Sequence, residues 1–294
     1  MIFNKKCILS DFFVISSKFY IFVPLMPKII TPIMINLKEL LFSLCFLAAS
    51  YTAFSQLGFS HEVGVITGPV EFRSDYGTRL SEKTNFGNSG YGIGIVHYIN
   101  FAYRADCNCY TTDTYFNDHF KLRNEISYNK SKLEHFGEWV KPSRTTPEAD
   151  KLRAHEGVAE NFDIGTQIEY FPLSIRSFQG FGYKYAPFIS LGVHYTYSTP
   201  KVSTSYGDGD ITNPDNFYTF WDPGSINPES TGDWSLVTSI GVRYKIGVLS
   251  DLMLDLRWQY YFNDWVDGLN HQLNSNKYND WLLWLNFGYI YYLD

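Results

Sequence analysis

The sequence predicts an all-β fold, an antiparallel up-and-down transmembrane β-barrel of about eight strands. Three observations point to it. First, stretches of about 10–14 residues alternate between apolar and polar side chains, the period of a strand whose two faces meet different surroundings. Second, polar connections separate these stretches, and they are alternately long and short. Third, aromatic residues make up 18% of the chain and gather at the ends of the alternating stretches, as amphipathic rings do at the two borders of a membrane.

The N-terminus reads as processing rather than structure. Residues 34–56, MINLKELLFSLCFLAASYTAFSQ, hold a short polar segment with Lys38, an apolar run from Leu40 to Ala49, and small residues at Ala53 and Ser55. That order matches a cleaved signal peptide, and the apolar run is too short for a stable membrane-spanning helix. Residues 34–55 are therefore expected to be removed, with the barrel occupying 56–294. Because Met34 opens a complete signal, residues 1–33 read as a gene-start extension.

The strands follow in order. Segments around 58–67 and 90–101 open the set. Phe120, Leu122, Ile126 and Tyr128 alternate with Lys121, Arg123, Glu125 and Ser127. Phe162, Ile164, Thr166, Ile168 and Tyr170 alternate with Asp163, Gly165, Gln167 and Glu169. Tyr185–Tyr197 repeats the pattern less cleanly. Trp234, Leu236, Thr238, Ile240, Val242 and Tyr244 then alternate with Ser235, Ser239, Gly241, Arg243 and Lys245. Leu252, Leu254, Leu256, Trp258, Tyr260 and Phe262 alternate with Asp255, Arg257 and Gln259, and Trp281–Leu293 closes the series. Such strands are about twice the usual globular length of about 5–6 residues and suffice for a tilted crossing of about 9–11. Long connections fall near 68–88, 130–160, 199–232 and 263–279. The clearest short one is 248–251. Long loops outside and short turns on the periplasmic side are the outer-membrane arrangement.

That topology assigns the aromatic girdle. Tyr128, Tyr197, Trp234, Tyr260, Phe262 and Trp281 fall at the outer end, and Tyr170, Tyr185, Tyr244, Tyr289 and Tyr291 at the inner end. The opposite faces line the lumen. Glu62, Lys121, Arg123, Glu125, Asp163, Glu169, Arg243, Lys245, Asp255 and Arg257 point inward. An eight-stranded barrel has room for its own side chains or one small ligand. Unpaired charge is costly there, so the expectation is a paired polar plug and not a pore.

Little else carries chemistry. The net charge of −6 comes with no basic cluster, which excludes nucleic acid. Gly90, Gly92 and Gly94 alternate as in a strand, with no phosphate-loop lysine after them. Cys107 and Cys109 are the cysteines left after cleavage and form a candidate disulfide or redox pair. Their spacing suits a relaxed disulfide poorly, and a zinc site would need His97, His119, Asp106 or Asp113 as well. The acidic loop Ser205–Asn216 lacks the spacing of a calcium loop. His135, His155 and His271 lie in outer loops with Asp264, Asp267 and Asp280, the residue types of a hydrolase at a barrel rim, but no motif marks a nucleophile. No metal, no cofactor and no catalytic residue is assigned.

Four stretches resemble an uncharacterised family of flavobacterial (Bacteroidota) outer-membrane barrels: 57–79, 105–130, 250–270 and 279–294. More distantly, the layout is similar to the PorG barrels of the type IX secretion and gliding apparatus. The shared parts are an early glycine-rich strand pair and a late Phe262–Asp267 loop followed by a final strand led by Asn279–Trp281. The CNC turn departs from that pattern. The resemblance implies a monomeric scaffold or anchor in outer-membrane lipid, with a periplasmic or secretion-machinery protein as partner. The alternatives are a rim-active outer-membrane hydrolase and a soluble, secreted lipocalin-like binding barrel.

Overall fold

The computed structural model describes residues 59–101, 115–273 and 278–293. The expected signal peptide, the segment before it, and Cys107 and Cys109 lie outside the described residues.

Eight long antiparallel strands form the wall. They are β1 (Ser60–Arg73), β2 (Ser89–Asn100), β3 (Phe120–Glu134), β4 (His155–Tyr170), β5 (Tyr185–Ser198), β7 (Thr231–Gly247), β8 (Ser250–Tyr261) and β9 (Trp281–Tyr292). Each pairs with its neighbours in chain order, and β9 pairs back onto β1 from Glu62↔Tyr292 to Arg73↔Trp281, which closes the ring. Closure removes the free edges that would otherwise invite aggregation. A ninth, short strand, β6 (Lys201–Thr204), continues β5 along β4. Ser198 faces Asn161 and Lys201 faces Val158, so the register is unbroken across Thr199–Pro200. Pro200 has no N–H to give to a ladder, and the strand is interrupted only there.

Inside and outside are opposite to those of a soluble barrel. Ile95, Ile126, Ile164, Ile189, Leu191, Ile240, Leu254 and Leu256 are all exposed on the outer face. Aromatic residues flank them. Tyr195 meets Trp234 edge-on at 5.5 Å near one end, and Tyr185 meets Tyr244 at 5.0 Å near the other. A closed wall with an apolar outer band between aromatic borders is the lipid-facing surface of an outer-membrane barrel, and this is where the chain resides. A soluble lipocalin-like barrel would turn those aliphatic chains inward. Among the described residues no helix is long and apolar enough to span a membrane. The strands make the crossing.

Several strands run further than the alternation suggested. β1 reaches Arg73, β3 reaches Glu134, and β4 starts at His155. The cause is an inversion of sidedness above the membrane. There the outer face meets water and carries Lys130, Lys132, Glu156 and Glu160, linked by Lys130–Glu160 at 2.8 Å and Lys132–Glu156 at 3.4 Å. The inner face carries buried Leu133 and Ala159. A reading tuned to apolar-out therefore stops too early. At the other rim the short turn is only Val248–Leu249, and Asp251 belongs to β8, buried and 3.3 Å from Lys245.

Helical turns occupy the connections: α1 (Glu82–Asn85), α2 (Tyr115–His119), α3 (Pro147–Ala154) and α4 (Ile175–Gln179). In α3, Thr146 caps the first turn by accepting from the Ala149 N–H, and Pro147 fills a position whose N–H would be unsatisfied anyway.

Candidate functional site

Two features distinguish the molecule, the filled lumen and the cap above it.

All ten expected lumen charges are buried, and nine of them join in ion pairs. From the inner end, Glu62 takes Lys121 at 2.5 Å and Arg243 at 2.6 Å. Arg243 continues to Glu169 at 3.2 Å. Arg123 reaches Asp255 at 3.0 Å, Glu125 at 2.8 Å and Glu169 at 3.4 Å. Arg257 grips Glu125 with both terminal nitrogens at 2.6 Å. Asp163 stands apart. Its carboxylate accepts from Thr196 Oγ1 at 2.5 Å, Gln259 Nε2 at 2.8 Å and Asn129 Nδ2 at 3.1 Å.

The lumen is less purely polar than expected. Trp284, Tyr98, Phe188 and Met253 are buried there too. They pack on the cations: Arg243 lies 4.1 Å from the Tyr98 ring centre, Arg257 4.8 Å from Trp284, and Lys245 3.9 Å from Tyr292. Guanidinium over an aromatic face is attractive and fills space that a ring of carboxylates alone would leave open. These inward aromatics are why β9 alternates poorly in sequence, since both of its faces are apolar. Gly92 makes room for one of them, because a Cβ there would overlap the Trp284 indole.

All eleven girdle residues named above lie on the outer face. Tyr128, Tyr185, Tyr197, Trp234, Phe262, Tyr289 and Tyr291 are exposed, and Tyr170, Tyr244, Tyr260 and Trp281 are half-buried against neighbours. His97 and His119 do not come together. His97 Nε2 lies 3.1 Å from His61 Nδ1 on the outer face of β1 and β2, and His119 stacks on Tyr115. Among the described residues no cluster could hold a metal ion.

Above the lumen the four outer loops are tied into one cap. The Asp75 N–H donates to Asp267 at 3.1 Å, and the His271 N–H donates to Asp75 at 3.1 Å, joining the first loop to the fourth. Glu148 accepts from the Thr219 N–H and hydroxyl at 2.9 and 2.7 Å, joining the second to the third. The Asn227 N–H reaches Gly268 O at 3.0 Å and the Asn270 N–H reaches Ser225 O at 2.7 Å, joining the third to the fourth. At the centre is Arg79, 2.6 Å from Asp75, 2.6 Å from Asp264 and 3.0 Å from Asp280. Burial raises the carboxyl pKa values of Asp75, Asp267 and Asp280, and it lifts Asp264 to about 7.

Within the cap is a cavity of about 260 Å³, lined among others by Asp75, Tyr76, His135, Tyr218, Trp221 and His271. It brings together His135 and His271, far apart in sequence, and His155 packs against His135. His135 Nε2 lies 2.9 Å from His155 Nδ1, and the other His155 nitrogen meets the Tyr76 hydroxyl at 3.2 Å. Burial pushes the His135 imidazole down to about 3, and it also lowers that of His271. Trp221 stacks on His271 with ring centres 5.9 Å apart. Tyr76, Arg79 and Trp221 carried no signal in the sequence beyond being ring or charge in a polar loop, because loops do not repeat with a fixed period.

No protein-family model and no curated protein matches the sequence. In shape the chain is similar to solved outer-membrane β-barrels. Neisserial surface protein A is 13% identical, with a TM-score of 0.40, covering 79% of this chain and 96% of that one. A major outer membrane protein from Thermus thermophilus is 15% identical, with a TM-score of 0.41 and coverage of 79% and 99%. Ail, the attachment invasion locus protein of Yersinia pestis, is 9% identical, with a TM-score of 0.37 and coverage of 80% and 99%.

Proposed function

We propose that this barrel is a sealed, non-enzymatic scaffold of the outer membrane, which holds one folded cap outside the cell and presents its short turns to the periplasm. The observation that carries the reading is the bidentate Arg257–Glu125 pair with the charges around it, packed side chain to side chain across the lumen. A conducting pore needs a continuous water path, and such packing leaves little room for one. The cap supports the same reading, since its loops are bonded to each other across the barrel mouth.

The finer role, an anchor for a type IX secretion or gliding machine, rests on the resemblance in layout alone. Exposed apolar residues at the inner turns, Leu173, Phe181 and Val248, offer places to test it. A photo-crosslinker at Val248 should capture an envelope protein in cells, and its capturing lipid alone would remove the anchoring role.

The rim-hydrolase reading gains a His135–His155 pair but meets a tyrosine hydroxyl where acyl transfer would need an activated serine, threonine or cysteine. The sealed-barrel reading is tested in planar bilayers. Purified protein should shift in apparent mass on heating and show no steady conductance. Stable single-channel steps would overturn it.

A further inference from the structure

We propose that the cavity in the outer cap binds a small organic cation, an alkylammonium or quaternary ammonium group, taken from outside the cell. The walls are aromatic. Trp221 lies 5.7 Å from the His135 ring, 6.0 Å from Tyr218 and 5.9 Å from His271, and Tyr76 stacks on His135 at 5.0 Å. Faces of this kind attract a cation within about 6 Å of a ring centre. The cavity lies just below the range of about 300–1,000 Å³ typical of drug-sized ligands, so the guest is small.

Charge selects the sign of the guest. Asp75 is the charged residue in the lining, and no lysine or arginine lines the cavity among the described residues. Behind Asp75, Arg79 faces three carboxylates directly, with Asp267 bonded to the Asp75 backbone. The histidines stay neutral through burial and present ring faces without adding positive charge.

Hydrogen bonding argues against a sugar or another neutral polyol. Several polar groups at the cavity are already engaged with their neighbours. His135 and His155 hold one another, Tyr76 holds His155, and Asp75 takes Arg79 and the His271 N–H. A guest that needs many directed bonds would have to break these, at a cost for each group left unpaired. A guest held by ring faces and charge needs none of them. The Trp139 side chain, 60% exposed, marks the way in.

The test uses the full chain in maltoside micelles, free of choline headgroups. Choline and benzyltrimethylammonium are titrated by calorimetry against 3,3-dimethylbutan-1-ol, the uncharged isostere of choline. Saturable binding of both ammonium compounds is expected, with the alcohol about tenfold weaker or silent. Trp221→Leu should weaken choline by about tenfold, and Asp75→Asn should weaken it by at least as much. If either variant alters the cap, Tyr218→Leu serves instead, because Tyr218 lies outside the buried network. Equal affinity for choline and the alcohol, preferential binding of N-acetylglucosamine, or no saturable signal up to about 10 mM ammonium would overturn the proposal. Conductance does not enter this measurement, so failure here leaves the sealed-barrel reading standing.

Discussion

Arg257 on β8 holds Glu125 on β3 across the barrel interior through two parallel hydrogen bonds, both 2.6 Å long. The strands are not neighbours in the wall, so the pair braces opposite sides of the ring. Both side chains are buried, and Arg123 closes on the same carboxylate at 2.8 Å. Removing the carboxylate leaves the Arg257 guanidinium buried without its ion-pair partner, while Arg123 keeps Asp255 and Glu169. Glu125→Gln should therefore destabilise the barrel by about 3–5 kcal/mol, read as a lower urea midpoint for loss of the heat-modifiable form. The double variant Glu125→Met with Arg257→Met should lose much less, since no orphan charge remains there. Equal losses in single and double variants would show that the pair does not brace the wall.

The outward apolar band makes an asymmetric prediction. Ile240 is 64% exposed near the middle of β7. On a soluble protein, Ile240→Arg would be nearly neutral. In a bilayer it should cost about 2–4 kcal/mol, falling to about 0–1 for a charge placed near the aromatic borders. Equilibrium unfolding from lipid vesicles measures the difference. A neutral result at Ile240 would place that face in water.

Gly92 is a packing prediction. Trp284 is fully buried and lies where a Cβ on Gly92 would sit. Gly92→Val should destabilise by about 1–3 kcal/mol through overpacking. Pairing it with Trp284→Leu should restore part of the loss. No rescue in the double variant would mean that the indole is not what the glycine accommodates.

The cap should respond to pH. Burial lifts Asp264 from 3.8 to about 7, so in the folded cap it keeps its proton to higher pH than in the unfolded chain. Between those values the folded state binds more protons. The contribution of Asp264 is therefore fully present below about 4 and is lost as pH rises through about 7. Above the range in which the buried histidines take up protons, limited proteolysis of the outer loops should quicken as pH rises through about 7. Asp264→Asn should flatten that profile. A rate that falls as pH rises would reverse the sign and contradict the assignment.

The lumen charges were legible because each lies in a strand whose opposite face is apolar for most of the crossing. Asp251 was missed because it follows a two-residue turn and looked like part of it. Trp284 and Tyr98 were missed because an aromatic on the inner face breaks the polar half of the pattern. The pocket histidines were visible only as residue types.

The sequence alone determined the eight-strand wall, the side of each strand that meets lipid, and the charges enclosed within, because a period of two in a closed ring leaves only two faces to fill. Only the tertiary structure decided which charge meets which, how far the strands rise above the membrane, and that His135 and His271 line one cavity with His155 packed against His135. Those outcomes depend on contacts between residues up to about two hundred positions apart, such as Asp75 with His271, and no local period encodes which distant loops will meet.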